Sequence, residues 1–174
     1  MFFDFSSAFN TIQPHLLVQK LLNMKLPSSV ILWIFDYLTS RLQYVRLNGL
    51  LSSAIKTKTG APQGTVLAPF LSALYTAVCR STDESCPVVK FTDDTELVGK
   101  ICNDEDAVNH KQIETFVSWC DKIYLYLNVS KTREMCIDFR KNQRCPKAVY
   151  IKGEAVERVD TYKYLGVVFD RKLN

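Results

Sequence analysis

The stretch that most constrains the fold runs from residue 66 to residue 139. It holds an apolar helical run (66–79), then two strand-like runs, PVVKF (87–91) and TELVGKI (95–101), with Thr92-Asp93-Asp94 at the bend. A long amphipathic helix (105–127) and an alternating run, REMCIDF (133–139), follow. Strands joined by a tight bend pair antiparallel, and flanking helices must bury their apolar stripes on the sheet so formed. The long helix is expected to take Asp104 as its N-cap and to bury Ile113, Phe116, Val117, Cys120, Ile123 and Leu127. Met135, Ile137 and Phe139 alternate onto one side of the next strand. The pattern predicts an α+β fold, an antiparallel sheet with helices packed on one face in a split β-α-β-β-α-β core.

The flanks fit the same frame. FFDF reads as the end of a strand. Residues 14–24 place Leu16, Leu17, Lys20, Leu21 and Met24 at helical spacing behind Pro14, and 28–40 place Ile31, Ile34, Phe35 and Leu38 on one stripe. Residues 42–58 read as a hairpin about Asn48-Gly49, a pair suited to a two-residue turn. A glycine-bounded loop, GAPQG, leads into the helical run at 66. Further strands are expected near 147–152 and 162–169, after a basic turn (Arg140, Lys141, Arg144, Lys147) that reads as a solvated loop.

With 174 residues, 47% apolar and 23% charged, the chain suits one globular domain with its own core. A net charge of +4 neither demands nor excludes a nucleic-acid partner. Six cysteines occur without a Cys-x-x-Cys pair, and His15 and His110 lie far apart, which argues against a zinc site or a disulfide framework. The first residues lack the basic start of a signal peptide, and no apolar run reaches the ~18 residues of a membrane span. The chain therefore reads as soluble and intracellular, nuclear or cytoplasmic, without a membrane partner.

The chemistry lies in the acids. Asp4 ends one strand, and Asp93-Asp94 occupy a hairpin bend. Neighbouring strands run about 4.8 Å apart, so these carboxylates can share a pair of cations if their strands are adjacent. Metal-assisted transfer of a phosphoryl or nucleotidyl group needs two or three hard oxygen ligands held by rigid elements. Adjacent acids repel, and a cation relieves that repulsion. In an arbitrary protein an Asp-Asp pair reads first as a solvated turn, so FTDD alone is weak evidence for a metal site.

Its company strengthens the case. FFDFSSAFNTI, GAPQGTVLAPFLSALY, FTDDTEL, LNVSKTREM and YKYLGVVFD occur in that order from residue 2 to about 170. The series resembles the reverse transcriptases of non-LTR (LINE-like) retrotransposons. The resemblance implies a polymerase palm over residues 1–174, with about 145–174 leading toward the thumb. It implies RNA-directed DNA synthesis by two-metal-ion catalysis, with RNA template, DNA primer and dNTPs as partners. Two Mg²⁺ ions, with Mn²⁺ as a substitute, would be held by Asp4, Asp93 and Asp94. Phe9 would be the aromatic gate beneath the sugar; on residues alone it reads as core packing. Gly60, Pro62, Gln63 and Gly64 would lie against the incoming nucleotide and template base. Lys131 would protonate the leaving pyrophosphate, and Tyr164, Leu165 and Gly166 would steady the primer end. Asn10 stands where relatives often carry an acid, a departure outside the implied ligand set.

The same resemblance implies fingers before the first block and a thumb after the last. The chain is accordingly expected to be an N-terminally cut palm, inactive alone. Two further readings stay open, a non-catalytic retrotransposon remnant and a nucleic-acid-binding module that keeps the palm surface. Another palm enzyme, such as a nucleotide cyclase, fits the PQG and YLG blocks poorly.

Overall fold

The computed structural model describes residues 1–81, 83–101, 106–140 and 146–173. The chain opens with β1 (Phe2–Phe3), a 3-10 turn (Ala8–Thr11), α1 (Pro14–Asn23) and α2 (Ser28–Leu38). Four short strands follow, β2 (Arg41–Gln43), β3 (Arg46–Leu47), β4 (Leu50–Leu51) and β5 (Ile55–Thr57). Then come α3 (Leu67–Thr76), β6 (Val88–Phe91), β7 (Asp94–Leu97) and α4 (Ala107–Lys122). The last strands are β8 (Arg133–Glu134), β9 (Tyr150–Ile151), β10 (Glu154–Ala155), β11 (Glu157–Arg158), β12 (Thr161–Tyr164) and β13 (Val167–Asp170). The mixed α/β composition matches the sequence pattern. No described helix is long and apolar enough to cross a membrane.

The chain divides into two compact units. One takes Met1–Ser6, Cys79–Lys122 and the chain from Tyr126 onward; the other takes Ser7–Val78 with Ile123–Leu125. The first unit is built on a five-stranded sheet ordered β11-β8-β1-β7-β6. β1 is its central strand: Phe2 and Phe3 face Glu96 and Thr95 of β7, and Phe2 faces Arg133 of β8 on the other side. These pairings and β6–β7 are antiparallel, as expected. The edge departs from expectation, because β11 runs parallel to β8. The long connection between them, residues 135–156, gives the chain room to return in the same direction.

Strand alternation assigns the two faces of this sheet. Phe3 points to α4, its ring centroid 4.4 Å from that of Phe116. Phe2 points the other way and stacks on Tyr162 of β12 at 4.1 Å. α4 buries Ile113, Phe116 and Cys120 as the periodicity predicts, but it ends at Lys122 rather than 127. Tyr124 adopts a left-handed φ of 57°, and Leu127 instead bridges Phe5 antiparallel beside β1. The expected N-cap, Asp104, lies outside the described residues, as do Lys141 and Arg144 of the basic turn.

The run REMCIDF is strand only at Arg133–Glu134, where β1 and β11 flank it. Beyond Glu134 it finds no partner strand among the described residues, and Ile137 and Phe139 are exposed. In the second unit, α1 packs against α2 and α3 around Leu17, Leu21, Ile31, Ile34 and Leu71, whereas Phe35 of the expected stripe is exposed. Tyr75 closes this core; its hydroxyl donates to the Ile123 carbonyl at 2.6 Å, and burial pushes its pKa up to about 12. The predicted hairpin forms as β2–β5 continued by β3–β4, turning at Asn48 (φ 48°) and Gly49 (φ 83°). Positive φ at both central residues is the two-residue turn that matches strand twist.

Removing the Phe116 ring should cost about 3–5 kcal/mol, as for large-to-small changes in packed cores. Urea unfolding followed by circular dichroism should show this for Phe116→Ala, whereas Phe139→Ala should stay within about 0.5 kcal/mol of the parent.

Candidate active site

In the sheet unit Asp4 directly follows β1, Asp93 lies in the β6–β7 turn and Asp94 opens the neighbouring β7. Carrying the β1–β7 register one residue past Phe3↔Thr95 sets Asp4 opposite Asp94. Asp4 shares the face of Phe2, the side covered by the β12–β13 hairpin. β6 and β7 turn through Thr92 and Asp93 alone, since Phe91 already pairs with Asp94. Asp94 thus belongs to the strand rather than to the bend. Thr92 holds φ at 55°, unusual for a β-branched residue, and its hydroxyl bonds the Phe91 carbonyl at 2.7 Å and Asp93 Oδ1 at 2.9 Å. The Asp94 carboxyl is pushed up by desolvation, then by the charges of Asp93 and Asp4.

That mutual repulsion, and a donor set of hard oxygens, fit a divalent cation. The side chains are not drawn into a finished cage, however: among the described residues no group of three or more His, Cys, Asp or Glu is placed to hold a metal.

Asp4 is held by its backbone on the side away from β7. Its N–H donates to Thr132 Oγ1 at 3.3 Å, and its carbonyl accepts from the Asn128 N–H at 2.8 Å. Thr132 is fully buried and its hydroxyl donates to the Asn128 carbonyl at 2.9 Å, closing the turn that carries exposed Lys131. The LNVSKT block is therefore the brace of Asp4. Thr132 and Asn128 went unnoticed in the sequence because their role is a backbone contact 128 and 124 residues away, which no local pattern reports.

The YLG block forms the turn of β12–β13, with Leu165 at φ 48° and Gly166 at φ 85°. Tyr162 and Tyr164 both pack on Phe2. Desolvation raises both phenols; Asp94 and Asp4 add to the rise at Tyr162, Glu96 and Asp94 at Tyr164. The Tyr164 hydroxyl is buried with no hydrogen-bond partner among the described residues. Tyr162 was not singled out in the sequence, although its place two residues before Tyr164 puts it on the same strand face.

The other predicted residues gather in the helical unit. Phe9 lies in the 3-10 turn, half-buried. The GAPQG loop is laid onto that turn: the Ala61 N–H donates to the Phe9 carbonyl at 2.9 Å and the Gly60 N–H to the Ile12 carbonyl at 2.7 Å. Gln63 Nε2 donates to Asn10 Oδ1 at 3.1 Å, so the residue that departs from the family pattern is the partner of the loop's amide. Arg41, absent from the sequence-based candidates, donates to the Gly60 carbonyl at 2.6 Å and ties the hairpin base to this loop. A Cβ on Gly60 would come within 2.8 Å of the Asn10 Cα, while one on Gly64 would meet open space. Both glycines have positive φ. Gly64→Ala should therefore cost only the left-handed penalty, about 1–2 kcal/mol, and Gly60→Ala distinctly more; thermal melts of the two variants compare them.

Paired carboxylates on neighbouring strands and a glycine loop carrying an amide are groups that metal-dependent nucleotidyl transfer employs. The chain belongs to the reverse transcriptase (RNA-dependent DNA polymerase) family, whose model matches residues 1–169. It is 30% identical over 179 residues to the probable RNA-directed DNA polymerase from transposon X-element of Drosophila melanogaster, covering 99% of this chain and 19% of that protein. It is 27% identical over 181 residues to the RNA-directed DNA polymerase from mobile element jockey of the same organism, with 99% and 19% covered. The polymerase from transposon BS matches at 25% over 187 residues, with 99% and 20% covered. The chain spans about a fifth of the length of the curated relatives it matches. The resemblance to reverse transcriptases of non-LTR retrotransposons, read from the five blocks, is thus borne out.

Proposed function

We propose that this chain is the palm of an RNA-directed DNA polymerase of a non-LTR retrotransposon, joining dNTPs to a primer 3′-hydroxyl on an RNA template. The observation that carries this reading is the pairing of β1 with β7, which sets Asp4 opposite Asp94 with Asp93 next in the chain. Asp4, Asp93 and Asp94 would hold the cations, Mg²⁺ or in its place Mn²⁺. When bound, two such ions supply positive charge to the attacking hydroxyl and to the leaving oxygen.

The chain's own groups do the rest. Thr132 and Asn128 fix the Asp4 backbone from the far side, which sets the sheet face from which its carboxylate projects. Phe9 presents a ring against the sugar of the incoming nucleotide, where a 2′-hydroxyl would collide with it. The Gly60–Gly64 loop brings backbone and the Gln63 amide against the nucleotide and template base, and Asn10 orients that amide. Lys131 donates a proton to the departing pyrophosphate. Tyr164, Leu165 and Gly166 steady the primer end, with the Tyr164 ring packed on Phe2.

One observation favours a second reading, a nucleic-acid-binding module without turnover: the carboxylates are not gathered into a three-ligand group among the described residues. Two measurements separate the readings. Mn²⁺ binding followed by electron paramagnetic resonance should weaken in Asp4→Asn and Asp94→Asn. Template-dependent primer extension should disappear with chelator and in Asp93→Asn. Metal binding indifferent to all three substitutions would remove the catalytic reading. Primer-template binding that is unchanged in Asp93→Ala, together with Mn²⁺ binding indifferent to Asp4→Asn and Asp94→Asn, would establish the second. Tyr164→Phe should raise the melting temperature slightly in a thermal melt, because it removes a buried hydroxyl that has no hydrogen-bond partner among the described residues.

A further inference from the structure

The charge of this chain is unevenly divided. The helical unit carries six Lys and Arg (Lys20, Lys25, Arg41, Arg46, Lys56, Lys58) and one acid, Asp36, a net of +5 against +4 for the whole chain. The sheet unit, which holds the carboxylates, therefore nets −1 (16 cations and 17 acids). Four of the six cations lie on the β-ribbon of residues 41–58, which contains no acid at all. Arg41 is engaged with the Gly60 carbonyl, but Arg46, Lys56 and Lys58 are exposed and take part in no ion pair among the described residues.

The same ribbon exposes its apolar residues. Val45, Leu47, Leu50, Leu51 and Ile55 are each 65–76% exposed, a concentration that single scattered surface residues do not reach. Cross-strand register interleaves the two chemistries: Arg46 faces Leu51 and Lys56 faces Leu42. An apolar patch alone would suit a protein partner. Three cations with no ion pair among the described residues select a polyanion, and the wide, shallow minor groove of an A-form duplex leaves room for a two-stranded ribbon. Aliphatic side chains at such a tip can wedge against base steps while cations hold the flanking phosphates.

We infer that the ribbon Arg41–Lys58 docks on double-stranded nucleic acid, with Arg46, Lys56 and Lys58 on phosphates and the Leu47–Leu50 tip in a groove. The inference rests on the polymerase reading only for the class of partner. Through Arg41, a ribbon seated on the duplex also bears on the Gly60–Gly64 loop.

The test measures fluorescence anisotropy of a labelled RNA–DNA hybrid with the full chain, in chelator and without dNTPs, so that catalysis plays no part. Each phosphate contact contributes about 0.9 to the slope of log affinity against log salt, so Arg46→Gln/Lys56→Gln/Lys58→Gln should flatten it by about 2.7; between about 50 and about 200 mM salt the parent should lose roughly 40-fold more affinity than this variant. Leu47→Ser/Leu50→Ser should weaken hybrid binding and leave the slope unchanged. Circular dichroism of both variants should match the parent, since every substituted side chain is exposed. An unaltered slope in the triple variant would overturn the proposal, and so would single-stranded RNA bound as tightly as the hybrid. Self-association in sedimentation that Leu47→Ser/Leu50→Ser abolishes would overturn it in favour of a second copy. Asp93-dependent extension that persists beside an unaltered slope would remove this inference alone and leave the polymerase reading standing.

Discussion

A strand of only two residues organises the sheet unit. Phe2 and Phe3 bond to β7 on one side, Phe2 pairs with β8 on the other, and their rings point to opposite faces. Phe3 takes α4 through Phe116, and Phe2 takes the β12–β13 hairpin through Tyr162 and Tyr164. Because side chains alternate with a period of two, a slip of one residue would exchange these partners and turn Asp4 toward α4. The packing of two aromatic rings on opposite faces therefore also settles where the carboxylate points.

The backbone around Asp4 repeats the same economy of means. Beyond Phe3 the ladder continues through the Phe5–Leu127 bridge and the Ser6 N–H to Tyr126 carbonyl bond at 2.8 Å, and buried Thr132 completes it with a side-chain oxygen. An acid at the centre of a sheet is desolvated and would ordinarily be neutralised by protonation or a partner. Here desolvation pushes the Asp94 carboxyl up, and the charges of Asp93 and Asp4 push it further. The structure tolerates this because Asp93 and Asp94 lie at the exposed end of the hairpin, where water still screens them.

Much was legible without coordinates. Helical periodicity located α1, α2, α3 and α4 to within a few residues, and Asn48-Gly49 marked its turn because few other pairs accept positive φ twice. The errors fall where partners, not propensity, decide. REMCIDF alternates as well as any strand in the chain, yet it is strand for two residues, since β1 and β11 offer no more edge to bond. The long helix carries suitable apolar residues to Leu127, but a backbone bridge to Phe5 outcompetes another helical turn. The parallel β11–β8 edge had no signature at all, because a two-residue strand has no pattern of its own.

The sequence by itself determined the family and the identity of the chemical groups, since five ordered blocks state which acids, glycines, amide and tyrosines are present. It could also place Asp93 near a bend, because turn chemistry is local. Only the tertiary structure decided that Asp4 stands opposite Asp94, that Thr132 and Asn128 brace it, that Asn10 meets Gln63 and that Arg41 holds the Gly60 loop. Each of these is a contact between residues 19 to 128 positions apart. Such contacts depend on which strand or loop becomes a neighbour, and that is settled by burial and register over the whole unit rather than by any residue's own preference.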